Sequence, residues 1–187
     1  KPNDLTVEAI WHFLSDYFKV LSGKKIAIIG AGNIGFKLGL RLVECGAEVH
    51  LVRRDMTKGM LMANTINILK PSSTVTMAHY NQDPLHASLF SHAIIGCTDG
   101  VPAITWEMIQ CMDPSGVVVD VGKGTIERTA VQLAAEQGIS LCRGDISSAL
   151  DGFISTLVRT KQRSATAFGR KHLVDEIFVV SGGYLGL

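Results

Sequence analysis

The sequence has almost no net charge, few aromatic residues and no long apolar run. Its 18 Lys and Arg against 17 Asp and Glu leave a formal charge of +1 over 187 residues. Such a chain has no broad field with which to hold nucleic acid or an anionic membrane surface. No apolar stretch approaches the roughly 20 residues that span a bilayer, and no signal-peptide pattern is visible. The expected partners therefore include no nucleic acid and no membrane. Cysteine is scarce: Cys45, Cys97, Cys111 and Cys142. None belongs to a Cys-x-x-Cys pair, and no Cys/His group has zinc-ligand spacing. Each lies in an apolar stretch, so the four read as reduced, small hydrophobic side chains of a cytoplasmic protein with no metal site. His12, His50, His79, His86, His92 and His172 do not cluster along the chain. Each reads as a satisfied surface or core histidine, and no Ser-His-Asp arrangement is readable. Repeats and low-complexity segments are absent too. The chain starts at Lys1-Pro2, which suggests a piece of a longer protein.

What is present is apolar residue and glycine. Hydrophobic residues make up 47% and charged residues 19%, and there are 19 glycines, many of them where strands would end. That composition suits one well-buried α/β domain and is too small for two comfortable ones. Residues 4–20 read as a helix, capped by Asp4 or Thr6. Short apolar runs at 25–29, 47–52, 72–78, 92–96, 116–121 and 139–142 read as strands. Helical spacing over 33–45, 56–69, 105–112 and 125–137, with a short turn at 85–89, alternates with them. Strands that are apolar on both faces and separated by helices predict a doubly wound parallel sheet in three α/β/α layers. The expected organisation is an N-terminal helix (1–22) packing on the domain, the α/β domain itself (23–145), and a C-terminal helix and tail (146–187) that complete it. In that last part Ile146, Ala149, Leu150, Phe153, Ile154, Leu157 and Val158 share helical spacing. The basic run 159–163 falls near the helix end, residues 178–180 form a possible strand, and 181–187 have no clear fold.

The first strand runs into Gly30-Ala31-Gly32-Asn33-Ile34-Gly35. Each glycine in such a turn has a task. Gly30 permits the tight bend, Gly32 lets a diphosphate approach the backbone, and Gly35 lets the following helix pack on the strand. The amides of Gly32, Asn33 and Ile34 would then point at an anion from a helix N-terminus. A glycine-rich turn without ligand, or one serving another nucleotide such as S-adenosylmethionine, remains open. At the end of the second strand an NAD site usually carries an acidic residue for the ribose hydroxyls. Here Arg53 and Arg54 stand instead, Arg53 lying 18 residues after Gly35. Guanidinium groups pair with a 2′-phosphate that a carboxylate would repel. The expected cofactor is NADP, with NAD as the alternative, and Asp55 reads as a helix cap.

Two further loops follow strands at the same edge. In Gly96-Cys97-Thr98-Asp99-Gly100-Val101-Pro102, Cys97 and Thr98 would form a wall beside the cofactor, and Thr98 would bond ribose or phosphate. In Asp120-Val121-Gly122-Lys123-Gly124-Thr125, the Gly122 backbone would approach the nicotinamide. Thr125 would cap the next helix, and Lys123 is a weak candidate for a catalytic group or an anion contact. The bland alternatives are a turn and a helix start.

These stretches resemble a known group. Residues 21–30 after an N-terminal helix look like the cofactor domains of methylenetetrahydrofolate and methylenetetrahydromethanopterin dehydrogenases. Shikimate dehydrogenase, alanine dehydrogenase and glutamyl-tRNA reductase domains share much of the pattern. Residues 91–100, then Ile104-Thr105 and 116–122, are similar to their strand, small loop, threonine-led helix and Val-Asp-Val-Gly order. Arg53-Arg54 with Thr57 and Lys58 looks like the NADP clamp of shikimate dehydrogenases, and Gly144-Asp145 is similar to a Gly-Asp of the folate enzymes. The glycine loop departs from the Gly-Arg-Ser of those folate enzymes, and the tail after Asp151 matches none of the group. The resemblance covers roughly residues 5–145. It implies a Rossmann cofactor domain of an oxidoreductase, moving hydride to or from a small-molecule substrate held by a missing domain or a partner, in a homo-oligomer or a longer chain. The glycine run also looks like nucleotide-sensing regulatory domains of channels and transporters, although those place an acidic residue where Arg53 stands. A fold relative that has lost the nucleotide and serves in assembly is a third reading.

Overall fold

The computed structural model describes residues 2–166, 170–174 and 177–180. The chain divides into two compact units, Lys1–Ile146 and Ser147–Leu187.

The first unit begins with α1 (Pro2–Phe18) and then alternates. Its elements are β1 (Lys25–Ile29), α2 (Asn33–Glu44), β2 (Glu48–Val52), α3 (Met56–Leu69), β3 (Ala78–Asn81), α4 (Pro84–Ser88), β4 (Ala93–Gly96), α5 (Trp106–Gln110), β5 (Val117–Asp120), α6 (Arg128–Glu136) and β6 (Ser140–Arg143). The six strands form one sheet in the order β3-β2-β1-β4-β5-β6, and every neighbouring pair is parallel. This is the doubly wound Rossmann arrangement, and its strand order reverses between β1 and β4.

The sheet is apolar on both faces because helices cover both. Ile26, Ile28, Val49, Leu51, Ile95 and Val119 pack with Leu38, Leu42 and Ile66 of α2 and α3 and with Ile10 and Leu14 of α1. Ala27, Ile29, Ile94 and Val118 pack with Ala87, Met108, Ile109, Ala130 and Ala134 of α4, α5 and α6. Removing each Ile, Leu or Val from water stabilises the fold by about 1.5–3 kcal/mol before entropy is counted. Helix α1 is tied to α2 by ion pairs as well. Asp4 pairs with Lys37 and Glu8 with Arg41, and the Arg41 guanidinium lies 4.0 Å over the Trp11 ring.

Besides the first helix, which starts at Pro2 and so takes neither Asp4 nor Thr6 as its cap, three elements differ from expectation. The third strand starts at Ala78, not Ser72, because its register is set by β2: Val49 lies opposite Ala78 and Val52 opposite Asn81. The β-branched stretch before it runs beyond the start of β2 and leaves Val75 89% exposed. Asn67 marks the new beginning by bonding both the Ala78 amide and its carbonyl at 2.8 Å. Helix α6 starts at Arg128 and not at 125, since Thr125 is bound elsewhere and Ile126 bridges to Ile104.

The third difference lies in the second unit. There α7 (Ser147–Thr166) carries the basic run inside the helix and continues past it. Leu150, Phe153, Ile154, Leu157 and Val158 on it are exposed. The expected strand at 178–180 is present as β8 (Ile177–Val180). It pairs antiparallel with β7 (Arg170–Val174), which the sequence pattern had not suggested. The tail 181–187 lies outside the described residues.

Candidate functional site

Four loops meet at the carboxyl edge of the sheet. The first is the glycine turn after β1. The amides of Gly30 and Ala31 both donate to the Val52 carbonyl, at 3.0 and 2.9 Å, so the turn hooks over the end of β2. Gly30 has φ +84°, and a Cβ there would sit 2.6 Å from Thr98 Cγ2 and 2.8 Å from the Thr98 amide nitrogen. Backbone conformation and close approach both demand glycine. A Cβ on Gly35 would lie 3.0 Å from Ile28 Cγ2, so Gly35 is where α2 leans on β1.

Gly32 is different. A Cβ there meets nothing nearer than the Gly30 carbonyl oxygen at 3.9 Å. Gly32 is the N-cap of α2 and supplies no side-chain cap to it. The first amides of a helix have no partner within the helix, and the helix dipole adds partial positive charge there. Asn33 is exposed, its amide oxygen accepting from Asn3 Nδ2 at 3.3 Å, and Ile34 is half-buried. Space beside Gly32, an uncapped helix start and no side chain between them make a cradle for an anion.

The structure separates the two arginines expected to act as one clamp. Arg53 Nη1 donates to the Ala31 carbonyl at 2.5 Å, and its Nε is buried without a partner. Its own carbonyl accepts the Tyr80 hydroxyl at 3.2 Å. Arg53 is thus a strut between the end of β2 and the glycine turn. Arg54 is exposed and has no side-chain partner among the described residues. Asp55 caps α3, its carboxylate accepting from the Lys58 amide at 3.0 Å. That hydrogen bond lowers the Asp55 pKa and engages the carboxylate that follows the two arginines in the chain.

The loops after β4 and β5 form a single layer. Cys97 N donates to Ile29 O at 2.7 Å, tying the third loop to β1. The Cys97 thiol, pushed up to about 12 by burial, is a small hydrophobic group against the glycine turn. Thr98 lies beside Gly30, but its hydroxyl donates to the Val101 carbonyl at 2.6 Å and closes its own turn. The hydroxyl proton expected to reach ribose or phosphate is therefore engaged. Gly122 is required by proximity, because a Cβ there would lie 1.7 Å from the Thr98 carbonyl oxygen.

Asp120 organises the fourth loop, a role its sequence position did not reveal. Its carboxylate accepts from the Gly124 amide at 2.7 Å, the Thr125 hydroxyl at 2.7 Å and the Thr125 amide at 3.2 Å. Burial raises its pKa, yet these bonds and the nearby Arg143 outweigh burial and hold it below the usual carboxylate value. Thr125, fully buried, is spent here and does not cap α6. The loop passes through left-handed backbone at Lys123 (φ +60°) and Gly124 (φ +97°), which leaves the Lys123 side chain exposed at the rim. The signal in the sequence was the Asp-x-x-x-Gly-Thr spacing, in which an acceptor meets donors four and five residues later.

Away from this edge, the reading that no histidines cluster is corrected. His50 and His79 lie opposite each other on β2 and β3, with ring centroids 5.1 Å apart and Glu48 beside both. Strand register brings together residues 29 positions apart in the chain. Two grooves among the described residues also lie off the edge. One runs between α1 and α2 and is lined by the Asp4, Glu8, Lys37 and Arg41 ion-pairing groups. The other runs beside Tyr80 between α3 and β3. Neither contains a residue of the glycine turn.

Comparison with known proteins agrees with this geometry. The sequence profile of a family described as NADP oxidoreductase, coenzyme F420-dependent, matches residues 25–85, which hold the glycine turn and both arginines. Comparison with curated protein sequences returns no match. Among solved structures, the dipicolinate synthase A chain from Bacillus subtilis superposes with TM-score 0.57 at 16% identity, over 87% of this chain and 54% of that one. Quinate dehydrogenase from Corynebacterium glutamicum, in complex with NAD, gives 0.56 at 16%, over 80% and 61%. Shikimate dehydrogenase from Aquifex aeolicus gives 0.57 at 21%, over 76% and 50%. At these identities the likeness is one of fold, and it is the Rossmann fold expected from the sequence. The chain spans little more than half the length of these relatives. No helix among the described residues is long and apolar enough to cross a membrane.

Proposed function

We propose that this chain is the NAD(P)-binding part of an oxidoreductase, with NADP(H) preferred over NAD(H). One observation carries the reading. The uncapped start of α2 faces open space at Gly32, with an exposed arginine and no unengaged carboxylate at the end of β2. A diphosphate fits that cradle because the space a side chain would fill is empty, and the partial charge there favours an anion.

In this reading Arg54 meets the 2′-phosphate, and Arg53 holds the turn in shape. Cys97 and Thr98 form the wall beside the cofactor, and the Gly122 backbone lines the nicotinamide end. When bound, the nicotinamide supplies or accepts hydride. The protein's part is to orient it and to keep the loops still, which is what the Asp120 bonds accomplish. Lys123, exposed on the rim of the same loop, suits contact with an anionic group of a small-molecule substrate. The substrate would be held by another part of a longer chain or by a partner. The exposed apolar stripe of α7 favours pairing of two copies. Four unpaired thiols suit a reducing, cytoplasmic setting.

The test is a pair of cofactor titrations on Arg54→Ala. Affinity for NADPH should fall tenfold or more, the scale of one charge-assisted contact, while affinity for NADH stays within about twofold. Equal loss for both coenzymes would remove Arg54 from the 2′-phosphate. Arg53→Ala should weaken both alike, because it loosens the turn they share.

A second reading, a nucleotide sensor without turnover, is favoured by one feature. Asp120, the buried carboxylate of this edge, accepts three bonds from its own loop and has no free role as a base. Tight coenzyme binding without turnover by the full-length protein on carbonyl, imine and alcohol panels would select it.

A further inference from the structure

Glu48, His50 and His79 converge on the β2–β3 side of the sheet, apart from the coenzyme edge. Glu48 and His50 are two residues apart on β2, so they share one face of the strand. His79 lies on β3 in register with His50, and parallel neighbours in register share that face. Short α4, five residues long, is the helix that follows β3. At the His50 position the sheet carries a polar side chain where β1, β4 and β5 carry Ala27, Ile94 and Val118.

We propose that these three side chains form a binding site for a borderline divalent metal ion, Zn2+ in the first instance. Two imidazoles and one carboxylate are a donor set that zinc accepts, with a fourth position left to water or another ligand. His50 Nε2 lies 2.8 Å from Glu48 Oε1, and His79 Nε2 lies 3.8 Å from the same oxygen. All three donor atoms fall within 4.8 Å of one another. Ligands about 2.0–2.2 Å from one tetrahedral ion stand roughly 3.2–3.6 Å apart, so small rotations of Glu48 and His79 suffice. Both are near half-exposed, at 48% and 46%, while His50 is fixed at 10%. The site thus has one buried ligand and two exposed ones, and it opens to solvent on the exposed side.

A second layer is also in place. Zinc-bound histidine usually donates its other ring N–H to an oxygen, which fixes the tautomer. His50 Nδ1 lies 2.7 Å from the Asn81 side-chain amide, whose other end lies 3.1 Å from His86 Nδ1. As oriented, the Asn81 amide nitrogen donates to His50 Nδ1 and leaves the His50 proton on Nε2, facing Glu48; turning the amide over reverses both contacts, so that His50 Nδ1–H donates to the amide oxygen and Nε2 is freed for the metal. The nearest fixed cation works against the site only weakly. Lys25 is opposite Glu48 on β1, but its ammonium is held by the Leu89 carbonyl at 2.8 Å. Bound metal would join edge strand β3 to β2 in addition to the ladder.

The experiment uses the full chain, reduced and stripped with chelator, titrated with Zn2+ against a chromophoric competitor. One equivalent should bind, and saturation should raise the Tm by about 5 °C at a hundredfold excess over Kd. Co2+ should give visible d–d absorption of a four-coordinate site. His79→Ala and Glu48→Gln, both at exposed positions, should weaken Zn2+ binding tenfold or more and keep the NADPH affinity of the wild type. Proton–nitrogen correlation spectra should show His50 protonated at Nδ1 only when Zn2+ is present. Zn2+ affinity unchanged in both variants places any bound metal elsewhere and overturns the proposal. So does the absence of a Tm shift at millimolar Zn2+.

Discussion

Replacing Gly32 with alanine should separate binding from folding. In the free protein the added methyl meets only the Gly30 carbonyl oxygen, at 3.9 Å, and the backbone there has φ −109°, outside the left-handed region that favours glycine. Two small effects on stability oppose each other. Alanine is a poorer N-cap than glycine by up to about 1 kcal/mol. Loss of glycine's freedom in the unfolded chain returns about 0.4–1 kcal/mol. The net change should stay within about 0.5 kcal/mol, or about 2 °C in Tm for a domain of this size. Binding should change far more. A methyl at Gly32 holds a diphosphate off the amides of the α2 turn. Losing one hydrogen bond to a charged group costs about 1.5–3 kcal/mol, so the coenzyme should bind roughly 10- to 150-fold more weakly. Gly35→Ala is the contrast. Its Cβ would stand 3.0 Å from Ile28 in the packed core and should lower stability by about 1–3 kcal/mol. Calorimetric titration with NADPH and thermal unfolding of both variants read the two quantities separately. A folded Gly32→Ala protein that binds NADPH as tightly as the wild type would refute a diphosphate on this turn. A Gly32→Ala protein that loses many degrees of Tm without coenzyme would show the space to be occupied by the chain itself.

Two other outcomes are expected. Asp120→Asn leaves the Gly124 and Thr125 donors of a buried loop poorly matched and should cost about 1–3 kcal/mol at neutral pH. Because the folded Asp120 pKa lies below the ordinary 3.8, its contribution is complete above that value and is lost as pH falls below it toward the folded pKa. The acid limb of the stability curve should therefore be shallower in the variant, and identical limbs would deny the carboxylate its role. Leu157→Glu on the exposed stripe of α7 should convert a dimer to monomer in sedimentation equilibrium, and a wild-type chain already monomeric at high concentration would dismiss self-association.

Much of the candidate edge was legible because its constraints are local. Gly30, Gly32 and Gly35 sit between an apolar strand and an amphipathic helix, and each spacing has a single backbone consequence. The strands β1, β4 and β5 were equally plain, since burial on both faces requires continuous apolar runs. Expectation failed where a partner outside the segment decided the outcome. The stretch 72–77 has the composition of a strand but lies past the end of the one it would pair with. Thr125 has the look of a cap, but the Asp120 carboxylate claims it.

Composition and spacing by themselves determined the doubly wound class, the glycine turn after β1 and the arginines at the end of β2. Each follows from steric and electrostatic rules acting over a few consecutive residues. Tertiary structure decided which arginine props the turn and which faces solvent, how Asp120 binds its loop, and that His50 and His79 meet. Those facts depend on strand register and on contacts between loops far apart in the chain. They arise from closing the sheet, a step no local window of sequence contains.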